Sequence, residues 1–207
     1  MGAREDRFPL FPLDIVALPN ELVPLHIFEE RYRAMIARCL EEDLEFGIVW
    51  VSDDGLRTTG CACMIDRVLR RHDDGRIDIL TRGTRALRVH GELEDIPYPA
   101  GTVEFLDDKD EELDERTIED AHDAYAALVL EVTDEHPDLD KLAGMDAYAM
   151  AATVELGLPA KQGLLDLRSE NARLRLVTRL FRAAIKRLDY IERAEARARS
   201  NGKVRFG

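Results

Sequence analysis

The sequence predicts an α+β fold: a small, twisted β-barrel with one inserted helix, followed by a C-terminal helical bundle. Three observations carry this. Residues 8–106 break into short apolar stretches separated by Pro, Asn and Asp-Gly turn signals, which is the pattern of strands. A single helical stretch interrupts them, which suits a barrel-like sheet better than a doubly wound α/β fold. Residues 117–199 instead repeat apolar side chains at helical spacing, the signature of helices that bury one face.

The elements follow in order. Residues 8–18 carry Pro9 and Pro12, so an edge or irregular strand is expected, because proline removes a ladder donor. Residues 22–27 are a second extended stretch. Residues 29–42 place Tyr32, Met35, Ile36, Cys39 and Leu40 on one stripe. Glu29 and Glu30 stand at the start of that helix, where its dipole favours negative charge. Residues 45–51 form a third strand, ended by Asp53-Asp54-Gly55. Residues 59–71 form a long strand running into Asp73-Asp74-Gly75, whose Asp-Gly pair signals a hairpin. Residues 76–81 return with Ile77 and Ile79 on one face. Gly83 allows a bulge or bend before residues 86–89, and residues 101–106 close the series. Residues 107–116 read as a solvated linker, an acidic run over 107–115 whose only base is Lys109.

In the helical half, residues 117–133 align Ile118, Ala121, Tyr125, Leu128 and Val132. His136-Pro137 ends that helix. Asp146 caps a second one, which stops at Gly157, and Pro159 opens a short third helix through Leu165. Ser169 caps a last helix reaching about Ala198, with Leu174, Val177, Phe181, Ala184, Leu188 and Ile191 on its core-facing stripe. Residues 200–207 are expected to fray.

Composition narrows the function. The chain has 207 residues, 45% hydrophobic and 34% charged, with a net charge of −13. That is globular composition, and an acidic chain repels phosphate backbones and anionic membranes. The charge is uneven: residues 167–207 hold twelve Lys/Arg against four Asp/Glu, a net of +8, leaving −21 on the rest. This basic segment supports an alternative reading as a nucleic-acid-binding protein, but it lacks interleaved aromatics for stacking bases. No run of about 18 apolar residues occurs, so no transmembrane helix is expected. With no leader expected and an odd count of cysteines (Cys39, Cys61 and Cys63), a reducing cytoplasm and free thiols are expected.

Catalytic signatures do not emerge. Phosphate loops, dinucleotide fingerprints, H-E-x-x-H and G-x-S-x-G are missing. The three serines, Ser52, Ser169 and Ser200, stand at a strand end, a helix cap and the tail. Cys61-Ala62-Cys63 on a strand turns both sulfurs to one face, where a soft metal needs two further ligands, such as Cys39 and a histidine. Two small apolar residues packed beneath the helix is the favoured reading. His26 reads as a hydrogen-bonded structural histidine, and His72 and His136 as turn residues. No catalytic residue, metal or cofactor is expected.

A resemblance sharpens this reading. Phe8-Pro9-Leu10, Leu18-Pro19-Asn20 and residues 24–32 (PLHIFEERY) resemble the opening of the Lon protease N-terminal, substrate-binding domain family. Phe46-Gly47-Ile48-Val49, residues 60–68, Arg82-Gly83-Thr84-Arg85, Pro97-Tyr98 and Lys161-Gln162-Gly163-Leu164-Leu165 follow in the family's order, so the likeness spans residues 8–190. Asn20 stands where the family usually has Gly, and Glu30 where it has Pro. Asn tolerates a left-handed backbone, and Glu suits a first helical turn.

The resemblance implies a PUA-like β-barrel over 8–106, a linker over 107–116 and a helical bundle over 117–199. It implies a stand-alone copy of the domain without ATPase and protease domains. It also implies a non-catalytic module that recognises unfolded or partly folded polypeptides as an adaptor for proteolysis. Its partners would be those polypeptides, a protease or chaperone, and a weakly associating second copy, but not a membrane. The expected site is the junction of barrel and bundle together with the solvent side of the first helix, where Glu30, Arg31 and Arg33 would supply polar contacts to substrate.

Overall fold

A ring of backbone hydrogen bonds organises the first half of the chain. The computed structural model describes residues 2–93 and 96–201, so the expectation for residues 202–207 lies outside the described residues. The elements in order are β1 (Arg4–Leu13), β2 (Leu22–Ile27), α1 (Glu30–Glu42), β3 (Phe46–Ser52), β4 (Gly55–Leu56), β5 (Thr59–Arg71), β6 (Ile77–Leu93) and β7 (Ala100–Phe105). β1 pairs with β7, β7 with β6, β6 with β5, and β5 with β3, all antiparallel. β3 then returns to β1 in parallel, which closes the barrel. β2 branches from the first half of β6, and β4 from the end of β3. This closed barrel with one inserted helix is the architecture the sequence predicts.

Its interior follows from strand alternation. Phe8, Leu10, Val49, Ala62, Leu87, Val103 and Phe105 form one buried cluster, with the Phe8 and Phe105 rings edge-on at 5.6 Å. α1 covers part of the sheet with the expected stripe, burying Tyr32, Met35, Ile36 and Cys39. The Phe11 ring lies 4.2 Å from that of Tyr32. The helix stops at Asp43, whose backbone turns left-handed (φ 54°) while its N–H bonds the Cys39 carbonyl.

Two strands carry the irregularities that the sequence reading expects. β1 is the irregular strand rather than the edge: it has β7 on one side and β3 on the other despite Pro9 and Pro12, and its register with β7 shifts between Glu5 and Phe8, where Arg7 takes φ 60°. Each proline removes one donor, and ring closure recruits the strand regardless. β6 continues past Gly83 but bulges beside it, as the sequence reading allows: Ala62 pairs with Arg85 and Cys63 with Gly83, which leaves Thr84 as the extra residue. Glycine is required there for another reason. A Cβ would lie 2.1 Å from the Leu18 carbonyl oxygen, because the loop before β2 docks on this strand through Asn20 N–H to Gly83 O and Gly83 N–H to Glu21 O, both at 2.9 Å.

The remaining helices are α2 (Glu115–Thr133), α3 (Leu139–Ala143), α4 (Ala147–Ala151), α5 (Leu158–Asp166) and α6 (Glu170–Asn201). α3, which the sequence reading missed, is a single turn capped by Asp138. The chain forms two compact units. One joins residues 1–111 with 146–170, and the other joins 112–145 with 171–207. The barrel unit therefore holds α4 and α5. Its internal bonds explain this: Gln162 Nε2 donates to the Thr59 carbonyl at 3.1 Å, Lys161 pairs with Glu21 in a half-buried setting, and Arg168 donates to the Leu106 carbonyl at 3.2 Å.

In the second unit, Tyr125 of α2 packs against Phe181 of α6 at 5.6 Å. Two expected core stripes prove shorter than the periodicity suggests. Val132 is 64% exposed, and beyond Phe181 no residue of α6 whose burial is described is buried. The acidic segment is extended yet tied at both ends. In the first unit Lys109 N–H bonds the Arg168 carbonyl and Ser169 Oγ donates to Glu111. In the second, Asn171 bonds the backbone of Glu112 and Asp114. No helix among the described residues is long and apolar enough to cross a membrane.

Candidate functional site

The solvent side of α1 faces the turn joining β5 to β6, and the two enclose an open groove of about 480 Å³. The turn is Asp73-Asp74-Gly75, where Gly75 adopts φ 84° and donates to the His72 carbonyl at 3.0 Å. The apolar part of the groove comes from Ile36, Ala37 and Leu40 of α1 and Ile77 of β6. Its polar rim comes from Glu30, Arg33, Arg71, His72 and Arg76. Asp74 answers one of these cations, accepting from Arg76 Nε at 2.7 Å. The Arg76 backbone N–H and its guanidinium hold the Asp74 carboxyl below the usual carboxylate range.

The three residues expected from the sequence divide. Glu30 is exposed in the first turn of α1 and lines the groove. Arg33 also lines it; the side chain donates Nη1–H to the Asp74 carbonyl at 3.1 Å, while its Nε is buried without a hydrogen-bond partner. Arg31 belongs to a different environment. It pairs with Glu29 at 2.9 Å and lies 4.5 Å above the Tyr32 ring. Arg33 is thus both groove wall and anchor of the turn, which an unaligned sequence cannot show.

Beside the groove the structure gathers residues that the sequence reading treated separately. His26 on β2 and Asp78 on β6 are direct partners in the ladder. His26 Nδ1 lies 2.5 Å from one Asp78 oxygen, and His72 Nε2 lies 2.8 Å from the other. These two contacts, His26 first, hold the Asp78 carboxyl below its ordinary range. The two imidazoles meet edge-on at 5.8 Å, and Phe28, 60% exposed, stacks on His26 at 5.9 Å. Strand alternation alone puts His26 on the outer face, but its partner Asp78 follows only from the β2–β6 register.

The cysteines offer no comparable chemistry. Cys39, Cys61 and Cys63 are buried and unpaired. Burial pushes the Cys39 thiol up to about 11 and raises Cys61 well above the ordinary thiol range, so both are neutral at pH 7. Cys61 Sγ donates to the Ala62 carbonyl at 3.2 Å, as a packed residue does.

Comparison with known proteins agrees with the fold. The family model described as the ATP-dependent protease La (LON) substrate-binding domain matches residues 7–183. Lon protease 1 of Hydrogenovibrio crunogenus (strain DSM 25203 / XCL-2) is 24% identical over 209 aligned residues, taking in 93% of this chain. The chain spans only 25% of that relative's length. Among solved structures, a Lon N-terminal domain protein from Xanthomonas campestris superposes with a TM-score of 0.61 at 26% identity, covering 81% of this chain and 94% of its own. The N-terminal domain of the Mycobacterium avium complex Lon protease gives a TM-score of 0.63 at 21% identity, covering 84% and 97%. The second likeness speaks to the fold alone.

Proposed function

The chain belongs to the ATP-dependent protease La (LON) substrate-binding domain family, and we propose that it binds unfolded or partly folded polypeptides as a non-catalytic module serving proteolysis. The match of the family model over residues 7–183 carries this reading. The α1 groove is the place for the substrate. An apolar floor with a polar rim suits a short extended segment that brings apolar side chains and backbone carbonyls together. The buried Arg33 Nε supports this, because a donor left without a partner costs about 1–3 kcal/mol until an acceptor reaches it. Phe28 adds an exposed aromatic face beside the groove, the kind of surface that anchors polypeptide partners. The three buried, free thiols support a reducing compartment such as the cytoplasm.

The test is anisotropy of a fluorescent, permanently unfolded polypeptide titrated with the full chain. The folded form of the same polypeptide and a mixed RNA serve as controls. Binding of the unfolded form alone, at micromolar affinity or better, is expected. Ala34→Glu with Ala37→Glu places two charges in the groove from exposed helical positions. The double variant should keep its melting temperature and lose at least tenfold in affinity, about 1.4 kcal/mol. Unchanged affinity in that variant removes the groove from the reading, and binding of RNA in preference to polypeptide replaces it.

A further inference from the structure

We propose that His26, His72 and Asp78 form a surface site for a divalent transition-metal ion, with zinc as the cation that best suits its ligands. The sequence reading expected no metal site: it weighed a metal only at Cys61 and Cys63, and it read His26 and His72 as a structural and a turn histidine. The fold brings them together with Asp78. Among the described residues they are the one group of three metal-capable side chains whose ligand atoms all lie within 4.8 Å of one another.

The ligand chemistry is selective. Two imidazole nitrogens and one carboxylate suit zinc, nickel or cobalt, whereas magnesium and calcium prefer sets made of oxygen alone. Zinc holds nitrogen and carboxylate oxygen at about 2.0–2.2 Å, which places neighbouring tetrahedral ligands roughly 3.3 Å apart. Side-chain rotation brings the three atoms to that spacing, because the backbone is already fixed. His26 and Asp78 face each other across the β2–β6 ladder. His72 is held by its N–H to the Arg76 carbonyl at 2.9 Å and by the Gly75 N–H on its own carbonyl at 3.0 Å. A single ion takes the place of the proton in each histidine–aspartate contact and leaves a fourth position open to water, since the His26 side chain is 45% exposed.

The surroundings set the strength. Only one ligand is anionic, Arg70 is the β5 neighbour of Asp78 in the sheet, and Arg71 and Arg76 line the adjoining groove. This positive field opposes a cation, so micromolar rather than nanomolar affinity is expected. The site shares His72 with the rim of the groove, but it does not rest on the polypeptide-binding reading, and its test involves no client.

Isothermal titration of EDTA-stripped full chain with zinc chloride should show one ion per chain at micromolar affinity, with magnesium chloride silent. His72→Ala and Asp78→Asn should each weaken zinc at least about tenfold, while His136→Ala, at an exposed position in the other unit, leaves it unchanged. Absence of saturable binding overturns the proposal, as does binding that the two ligand variants leave intact. Should a variant fail to fold, the wild-type histidine ring signals in nuclear magnetic resonance decide. Zinc must shift His26 and His72 and spare His90, His122 and His136, and the opposite pattern overturns the site.

Discussion

The closed wall of the barrel and the branch that leaves it differ in what their backbones still offer. In the wall, β1, β7 and β3 each bond on both sides, and their inner side chains are buried in one cluster. On the branch, β2 pairs with β6 alone among the described residues, and it presents Leu22, His26 and then Phe28 to solvent. The wall has spent its hydrogen-bonding capacity and apolar surface on itself, whereas the branch keeps both available. On the proposed reading, stability and recognition are therefore separable within a single sheet.

Substitutions can break that separation. The largest expected effect lies in the wall. Leu87 is fully buried in the cluster, and Leu87→Ala should lower the free energy of unfolding by about 2–5 kcal/mol in urea titrations. The folded fraction should still bind an unfolded polypeptide at wild-type affinity, and a matching loss of affinity would unite the two regions. Phe28→Ser is the converse. Stability should stay within about 0.5 kcal/mol, while client affinity falls roughly threefold to tenfold as one exposed ring is lost.

The smallest effect sharpens the contrast on the wall's outer face. Glu104 of β7 accepts from His90 Nε2 at 2.8 Å, and that bond, with Arg4 and Arg88 nearby, holds its carboxyl below the ordinary glutamate range. A lowered carboxyl stabilises the fold above its unfolded value, near 4.3, and loses that contribution as pH falls through the folded value. Glu104→Gln should therefore melt slightly below wild type at pH 7, and the two should converge at pH values below the folded one. A constant difference in melting temperature across that range would assign the effect to packing.

Much of the barrel was legible in the sequence because its signals are local. Apolar stretches bounded by turn signals marked β2 and β5, the Asp-Gly pairs marked both turns, and the buried stripe of Tyr32, Met35, Ile36 and Cys39 marked α1. What was not legible depends on neighbours. Pro9 and Pro12 signal an edge or an irregular strand, and only closure, which gives β1 two partners, decides between them. Helical periodicity in residues 147–166 announces helices without saying which core they join, a matter settled by Gln162 and Lys161 reaching Thr59 and Glu21. The site follows the same rule. Glu30 and Arg33 could be placed on the solvent side of a helix, but the groove exists only because the Gly75 turn folds back beside them. The His26–Asp78–His72 group needed three-strand register.

The parallel contact of β1 with β3 and its antiparallel contact with β7 also bear on how the chain reaches this state. Arg4 pairs with Glu104, so the first strand must wait for the seventh before the circle can shut. During synthesis the amino-terminal segment emerges early but finds its second neighbour only after the whole barrel sequence has been made. Such long-range closure carries a large loop entropy and slows folding relative to a helical module of equal size. Until then Phe8 and Leu10 remain uncovered on one side, and a nascent chain of this protein passes through the same exposed, unfinished condition as the polypeptides it is proposed to hold.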